Sequence, residues 1–419
     1  MDTQIQINLG DILQCLSKAQ SILSPMVGRH QEQVAYLSYQ LATQLNVSIN
    51  DIKELFLGAL VHDIGALSIK EKIEIIDNDP FDVNTHAFRG ANLIREFDPL
   101  RSASDIVRYH HLPWDFGKGL SYNGNPVPVT SHILHLADRV CVQFTKTRNV
   151  LTQVPIIMSE IEHHRDSDFM PEQVDALMEL SKTEYIWLDL MSEDPTSKLP
   201  SWLMQLIPLG IDDLIDLAKL ISHVIDFASE FTSRHSAGVA KTAERLAELA
   251  NFSPYECKVM LIAGYLHDLG KLAIDNDVLE KPAMLNADEF NEIRSHTYYT
   301  YYLLDSIPEF SRVKSWAAYH HERIDGNGYP FHIKGDNLSL GSRIMAVADV
   351  FTAITEDRPY RIGMENERAI KTLKGMVSSG SLDRNVVDIL LCHFDEINTI
   401  RAHFQHEAEI YYKNFFKTE

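Results

Sequence analysis

The sequence predicts an all-α protein built from two related halves in tandem. Three observations predict it. Apolar residues recur at three-to-four spacing through Leu41 to Leu60, Val239 to Leu269 and Glu367 to Val377, the period of an amphipathic helix. Strand-like alternation is rare. A set of histidines and aspartates in the first half returns, in order, in the second.

The elements follow along the chain. Met1 to Gln14 has neither a positive start nor a long apolar core, so it does not read as a signal peptide. Arg29-His30 opens a helix, and Leu60-Val61-His62-Asp63-Ile64-Gly65 closes another. Tyr109-His110-His111 and Leu136-Ala137-Asp138 follow, with a turn at Asn123-Gly124-Asn125-Pro126 between them. Prolines at 195, 200 and 208 interrupt the helical pattern. The expected organisation is therefore one domain over 1–191, a linker over 192–208 and a second domain over 209–419.

The second half repeats the first. Arg234-His235, Tyr265-Leu266-His267-Asp268-Leu269-Gly270, Tyr319-His320-His321 and Val347-Ala348-Asp349 match those four segments. The spacings agree as well. His30 to His62 and His235 to His267 are both 32 residues, and His86 to His110 and His296 to His320 are both 24. His111 to Asp138 is 27 residues against 28 for His321 to Asp349. Agreement at several separated places indicates a duplication.

Composition excludes several classes. The 419 residues carry 38 basic and 59 acidic side chains, a net charge of −21, and no basic stripe of the kind that binds duplex nucleic acid. Cys15, Cys141, Cys257 and Cys392 are scattered and form no CxxC pair, which suits a reducing cytoplasm. No apolar run reaches about 18 residues, so no membrane-spanning helix is expected.

The second-half set of His235, His267, Asp268, His296, His320, His321 and Asp349 offers five imidazoles, two carboxylates and no thiolate. That is too many donors for one tetrahedral zinc and suits two six-coordinate first-row ions such as Fe or Mn. Asp268 is the natural bridging carboxylate. A packed core does not need five histidines at repeated spacings. The pair His163-His164 has no counterpart in the other half, and it reads as ordinary packing and hydrogen bonding.

His267-Asp268-Leu269-Gly270-Lys271 resembles the HD motif of the HD metal-dependent phosphohydrolases. His320-His321-Glu322-Arg323-Ile324-Asp325-Gly326-Asn327-Gly328-Tyr329-Pro330 is similar to the signature of the HD-GYP subfamily. Ala346 to Phe351 and Asp357-Arg358-Pro359-Tyr360-Arg361 continue the likeness, which covers Ile211 to Leu391. The resemblance implies tandem HD-type helical domains, the C-terminal one of HD-GYP type, and phosphodiesterase activity on cyclic di-GMP or 3′,3′-cyclic GMP-AMP. It implies one ion on His235, His267, Asp268 and Asp349, and a second on Asp268, His296, His320 and His321. Members with a third ion carry a Glu where this chain has Phe231, beside Glu230, which favours two ions. Asp268 and Lys271 are the expected catalytic residues. Lys271, Arg323, Gly328, Tyr329, Arg358 and Arg361 are the expected substrate contacts.

The first half keeps every ligand type in His30, His62, Asp63, His86, His110, His111 and Asp138. It has Ala66 where Lys271 stands, and Pro113-Trp114-Asp115-Phe116-Gly117-Lys118-Gly119 in place of the GYP signature. This half is expected either to support the catalytic half or to act as a second phosphohydrolase, such as a 5′-nucleotidase. The alternatives for the whole chain are a hydrolase of another nucleotide and a non-catalytic dinucleotide receptor. The C-terminal helix running to Phe415 either packs on its own core or makes a homodimer contact.

Overall fold

The computed structural model describes residues 7–23, 29–67, 71, 84–145, 147–204, 207–227, 234–279, 281, 283–357 and 362–416. They form two compact helical units, one over Asn8–Pro208 and one over 209–416 together with Ile7.

In the first unit, α1 (Leu9–Leu23), α2 (His30–Gln44), α3 (Ile49–Val61), α4 (Asn84–Arg95), α5 (Ser104–Arg108) and α6 (Val129–Cys141) build the site-bearing core. α2 lies against α3 and α6. Tyr36, Leu37, Leu41, Leu55 and Phe56 are fully buried at that junction, and each contributes about 1.5–3 kcal/mol of burial free energy. After a short hairpin at Ser121–Pro126, α7 (Val150–His163), α8 (Pro171–Leu180) and α9 (Glu184–Leu190) complete the unit. The hairpin turn puts Asn123 at φ 49° and Gly124 at φ 81°, the left-handed pair that a two-residue hairpin requires.

The segment at 192–204 packs within this unit. Leu199 and Leu203 are buried, and Gln14 donates to the Thr196 hydroxyl at 2.7 Å. α10 (Ser201–Met204) is one short turn of that segment.

The second unit repeats the arrangement with α11 (Ile211–Phe227), α12 (His235–Leu249), α13 (Pro254–Leu266), α14 (Asn276–Leu279), α15 (Ala287–Asp305), α16 (Ser311–Ala318) and α17 (Leu340–Thr355). α18 (Asn366–Ser378), α19 (Arg384–Cys392) and α20 (Phe394–Phe415) follow. α12 packs on α13, α17 and α20. Phe394, Ile397, Arg401, Gln405, Ala408 and Phe415 are buried along α20, so one face of this helix packs on its own core.

Two long helical windows are each broken once. Leu41 to Leu60 divides at Asn46, with φ 55°, and Val239 to Leu269 divides at Asn251, with φ 62°. Asn accepts this left-handed conformation more readily than most residues. The next helix restarts on a serine cap in both halves. Ser48 accepts the Asp51 N–H, and Ser253 forms a reciprocal box with Glu256. Periodicity sees the continuous apolar face, whereas the asparagine and serine set the break. Among the described residues, no helix is long and apolar enough to cross a membrane.

Candidate metal centres

The second unit gathers its histidines from helix ends. α12 begins with His235, α13 ends into His267 and Asp268, and α16 ends into His320 and His321. His296 and Asp349 lie inside α15 and α17. Gly270 allows the close approach this needs. A Cβ there would stand 1.9 Å from the His296 carbonyl oxygen, and at its twin Gly65 one would stand 2.1 Å from that of His86.

Asp268 lies between two groups of donors. Its Oδ2 is 3.2 Å from His267 Nε2, and its Oδ1 is 3.3 Å from His296 Nε2 and 3.9 Å from His320 Nε2. His235, His267 and Asp268 form one cluster of possible metal donors, and His296, His320 and His321 form the other. Asp349 reaches both, with Oδ1 at 3.2 Å from His235 Nε2 and Oδ2 at 3.8 Å from His321 Nδ1. Lys271 donates to Asp268 Oδ2 at 2.5 Å across one tight turn.

The rings are aimed by the backbone. Nδ1 of His267, His296 and His320 lies 2.7, 2.5 and 2.7 Å from the carbonyls of Gly264, Ile293 and Ala317. A carbonyl only accepts, so Nδ1 carries the proton and the Nε2 lone pair faces inward. Burial pushes His296 down to about 3, and burial with the neighbouring His321 pushes His320 well down. Burial opposes the charge on Asp268, but His267 and Lys271 hold it well below the usual carboxylate range. Neutral imidazoles and an ionised carboxylate are the forms that ligate a cation.

Three neighbours shape the centre, and of these only Glu322 belongs to a quoted motif. Glu356 is buried and accepts from His235 Nδ1 at 3.1 Å and from Gln405 Nε2 at 3.0 Å, while Arg401 donates to Gln405. Its place two helical turns after Asp349, on the same face, is the signal that could have found it. Burial opposes a charge on His235, yet Glu356 and Asp349 prevail and push it up to about 10. Glu322, also buried, accepts from the N–H groups of Phe331 at 2.7 Å and Ile333 at 3.0 Å, tying down the GYP loop. Arg294 lies with its guanidinium 4.9 Å from the Tyr329 ring.

Of the expected substrate contacts, Tyr329 lies beside His321, with ring centroids 4.9 Å apart and planes tilted by 40°. At Gly328, a Cβ would come within 2.4 Å of the Arg323 backbone nitrogen. Arg323 itself pairs with Asp325 at 2.8 Å. Arg358, Arg361, Glu230 and Phe231 lie outside the described residues.

The first unit assembles the same set. Asp63 Oδ2 is 3.2 Å from His62 Nε2, and its Oδ1 is 3.3 Å from His86 Nε2. His30 Nε2 is 2.8 Å from Asp138 Oδ1, and His86 and His111 meet at 3.2 Å. Nδ1 of His62 and His110 face the carbonyls of Ala59 and Val107 at 2.8 and 2.6 Å. All seven residues are buried. The surroundings differ. Ala66 is buried without charge, and Arg139 grips Asp138 Oδ2 with two nitrogens at 3.0 and 2.8 Å. Trp114, Asp115 and Phe116 are bonded through their backbone nitrogens to the carbonyls of Asp168, Ser167 and Asp166. His111 is buried where His321 is half-buried, so the first centre is the more closed. His163-His164 takes no part in it: His164 pairs with Asp168 and Glu160 at the surface.

Both sites fit metal ions on one independent ground. Nε2 of His62, His110 and His267 and Oδ1 of Asp63 are buried without a hydrogen-bond partner. Each such atom costs about 1–3 kcal/mol, which a cation among them offsets.

The chain resembles known proteins along both units. Residues 27–142 and 219–386 each match a family described as HD domain. The 3′3′-cGAMP-specific phosphodiesterase 1 of Vibrio cholerae is 30% identical over 400 residues, covering 92% of this chain and 91% of that one. A cyclic di-GMP phosphodiesterase of Thermotoga maritima is 31% identical over 173 residues, covering 41% of this chain and 46% of that one. The crystal structure of a cyclic GMP-AMP specific phosphodiesterase of V. cholerae shares the fold. Its TM-score is 0.64 at 21% identity, over 93% of this chain and 98% of that one.

Proposed function

The chain belongs to the HD-GYP phosphodiesterases that carry a further HD domain on the N-terminal side, and from that membership we propose that it hydrolyses a 3′,3′-cyclic dinucleotide to the linear 5′-phosphorylated dinucleotide. The substrate is cyclic di-GMP or 3′,3′-cyclic GMP-AMP. The observation that carries the reading is Asp268, set between two clusters of inward-facing imidazoles with Lys271 beside it. The enzyme is metal-dependent, and two ions of Fe or Mn at the second centre match its donor types.

When bound, the ions supply Lewis acidity to water and to the phosphoryl oxygens. The chain's own residues do the rest. Asp268 and Asp349 provide the negative charge that holds cations in a buried site. Lys271 places an ammonium where charge grows on the phosphate oxygens. Tyr329, packed beside His321, forms the lip against which substrate comes to rest. At the first centre, the full donor set without Lys271 and without the GYP loop supports removal of a terminal 5′-phosphate. A cytoplasmic setting suits the cysteines, all free of disulfides.

The test is product analysis after anaerobic purification with Fe(II) or Mn(II), offering both cyclic dinucleotides. A linear 5′-phosphorylated dinucleotide is expected, and further loss of its phosphate would point to the first unit as a second catalyst. Intact substrates with metal bound would overturn the phosphodiesterase reading in favour of a receptor or another nucleotide substrate.

A further inference from the structure

A cyclic dinucleotide carries two phosphodiesters, and only one can lie at the metal centre while it is cleaved. The other brings a negative charge into a chain of net charge −21, so it needs a cation of its own. Among the described residues around the second centre, four cations come into question. Lys271 is paired with Asp268 and serves the reacting phosphate, Arg323 is paired with Asp325, and Arg234 lies 3.6 Å from Glu409 and donates to the Asp357 carbonyl. Arg294 is different: no described carboxylate pairs with it. Its guanidinium rests 4.9 Å from the Tyr329 ring and 5.9 Å from the Phe290 ring. The Tyr329 ring in turn lies 4.9 Å from that of His321. Arg294 is therefore one ring away from a candidate ligand, half-buried and held by aromatic contacts. Contact with rings occupies the faces of a guanidinium and leaves its rim of N–H donors for a planar pair of acceptors.

We propose that Arg294 binds the second, non-reacting phosphodiester of the cyclic dinucleotide. This rests on the phosphodiesterase reading and adds a residue that favours two-phosphate substrates over those with one. Arg294 acts in binding and takes no part in bond cleavage.

The experiment compares wild type, Arg294→Ala and Arg294→Lys in the metal-loaded full chain. Each is assayed on both cyclic dinucleotides and on bis(p-nitrophenyl) phosphate, which has a single phosphodiester. Metal content is measured alongside. For Arg294→Ala, KM for the cyclic dinucleotide should rise roughly tenfold to a hundredfold, as expected for a lost charge-assisted pair. The loss in kcat/KM should be at least roughly tenfold greater than the loss on bis(p-nitrophenyl) phosphate. Arg294→Lys should recover part of it, since the charge remains without the fork. Equal losses on both substrate types, reduced metal content, or an unchanged KM would each overturn the proposal. If wild type itself leaves both cyclic dinucleotides intact, the phosphodiesterase reading fails first and takes the proposal with it.

Discussion

Glu356 accepts a hydrogen bond from Nδ1 of His235 at 3.1 Å and fixes which nitrogen of that ring faces the cluster. The same carboxylate accepts from Gln405 on α20. The last helix of the chain thus reaches the centre through one buried relay. Partners of this kind typically account for about 10- to 100-fold in metal affinity. Glu356→Ala should weaken metal retention by that amount in a chelator competition, and Gln405→Ala should do so less severely.

Asp268 and Asp63 hold matching places in the two centres, and their removal should separate two activities. Asp268→Ala should lower ring opening by a factor on the order of 10³ or more, because Asp268 organises both donor clusters and Lys271. Asp63→Ala should reduce the metal count per chain and stop loss of the terminal phosphate. The linear 5′-phosphorylated dinucleotide should then accumulate. Metal analysis with chromatography of products checks both.

Glu322 bonds two backbone N–H groups of the loop that carries Tyr329. Glu322→Ala leaves both donors without their acceptor, at a cost of about 1–3 kcal/mol each where they stay buried. Glu322→Gln keeps one acceptor and turns an amide N–H₂ on the other donor. Both variants should lower the urea midpoint and raise KM for the cyclic dinucleotide. A midpoint and KM equal to wild type would remove Glu322 from the account of the loop.

His223 should make the second unit acid-sensitive. It stacks against Phe227 at 5.2 Å and Tyr411 at 4.5 Å, joining α11 to α20. Burial pushes it down to about 3, with Lys219 adding to the shift. Its folded pKa is below the unfolded value of about 6.5. Below pH 6.5 the unfolded chain therefore takes up a proton that the folded chain refuses. Stability is full above about pH 6.5 and falls as pH drops towards 3. At pH 5 the loss is about 2 kcal/mol. His223→Phe should flatten the dependence of the urea midpoint between pH 7.5 and 5.

Much of this was readable in the sequence because it is written locally. The HD pairs, the paired histidines and the turn at Asn123-Gly124 are short runs whose residue types dictate what they do. Helical periodicity marked the apolar faces but overran the breaks at Asn46 and Asn251, where a backbone φ and a serine cap decide. Gln405 and Arg294 were not legible, and Glu356 showed only as a carboxylate two turns beyond Asp349. Their roles arise only when α12, α17 and α20, or α15 and the GYP loop, come together. Arg139 was missed for another reason. It is next to Asp138 in sequence, but helical spacing alone does not turn its guanidinium back onto its neighbour.

The imidazoles that draw their aim from a carbonyl three residues earlier have a consequence for descent. His62, His110, His267, His296 and His320 need no distant side chain to be oriented. Each carries its own bearing within one turn of backbone. A copied stretch of gene therefore inherits a working socket at once, before any neighbour has adapted to it. The loops around that socket are then free to drift. One copy could acquire the Glu322-anchored lip and Lys271 while the other gained the Arg139 grip on Asp138, and neither had to rebuild the ligands to do so.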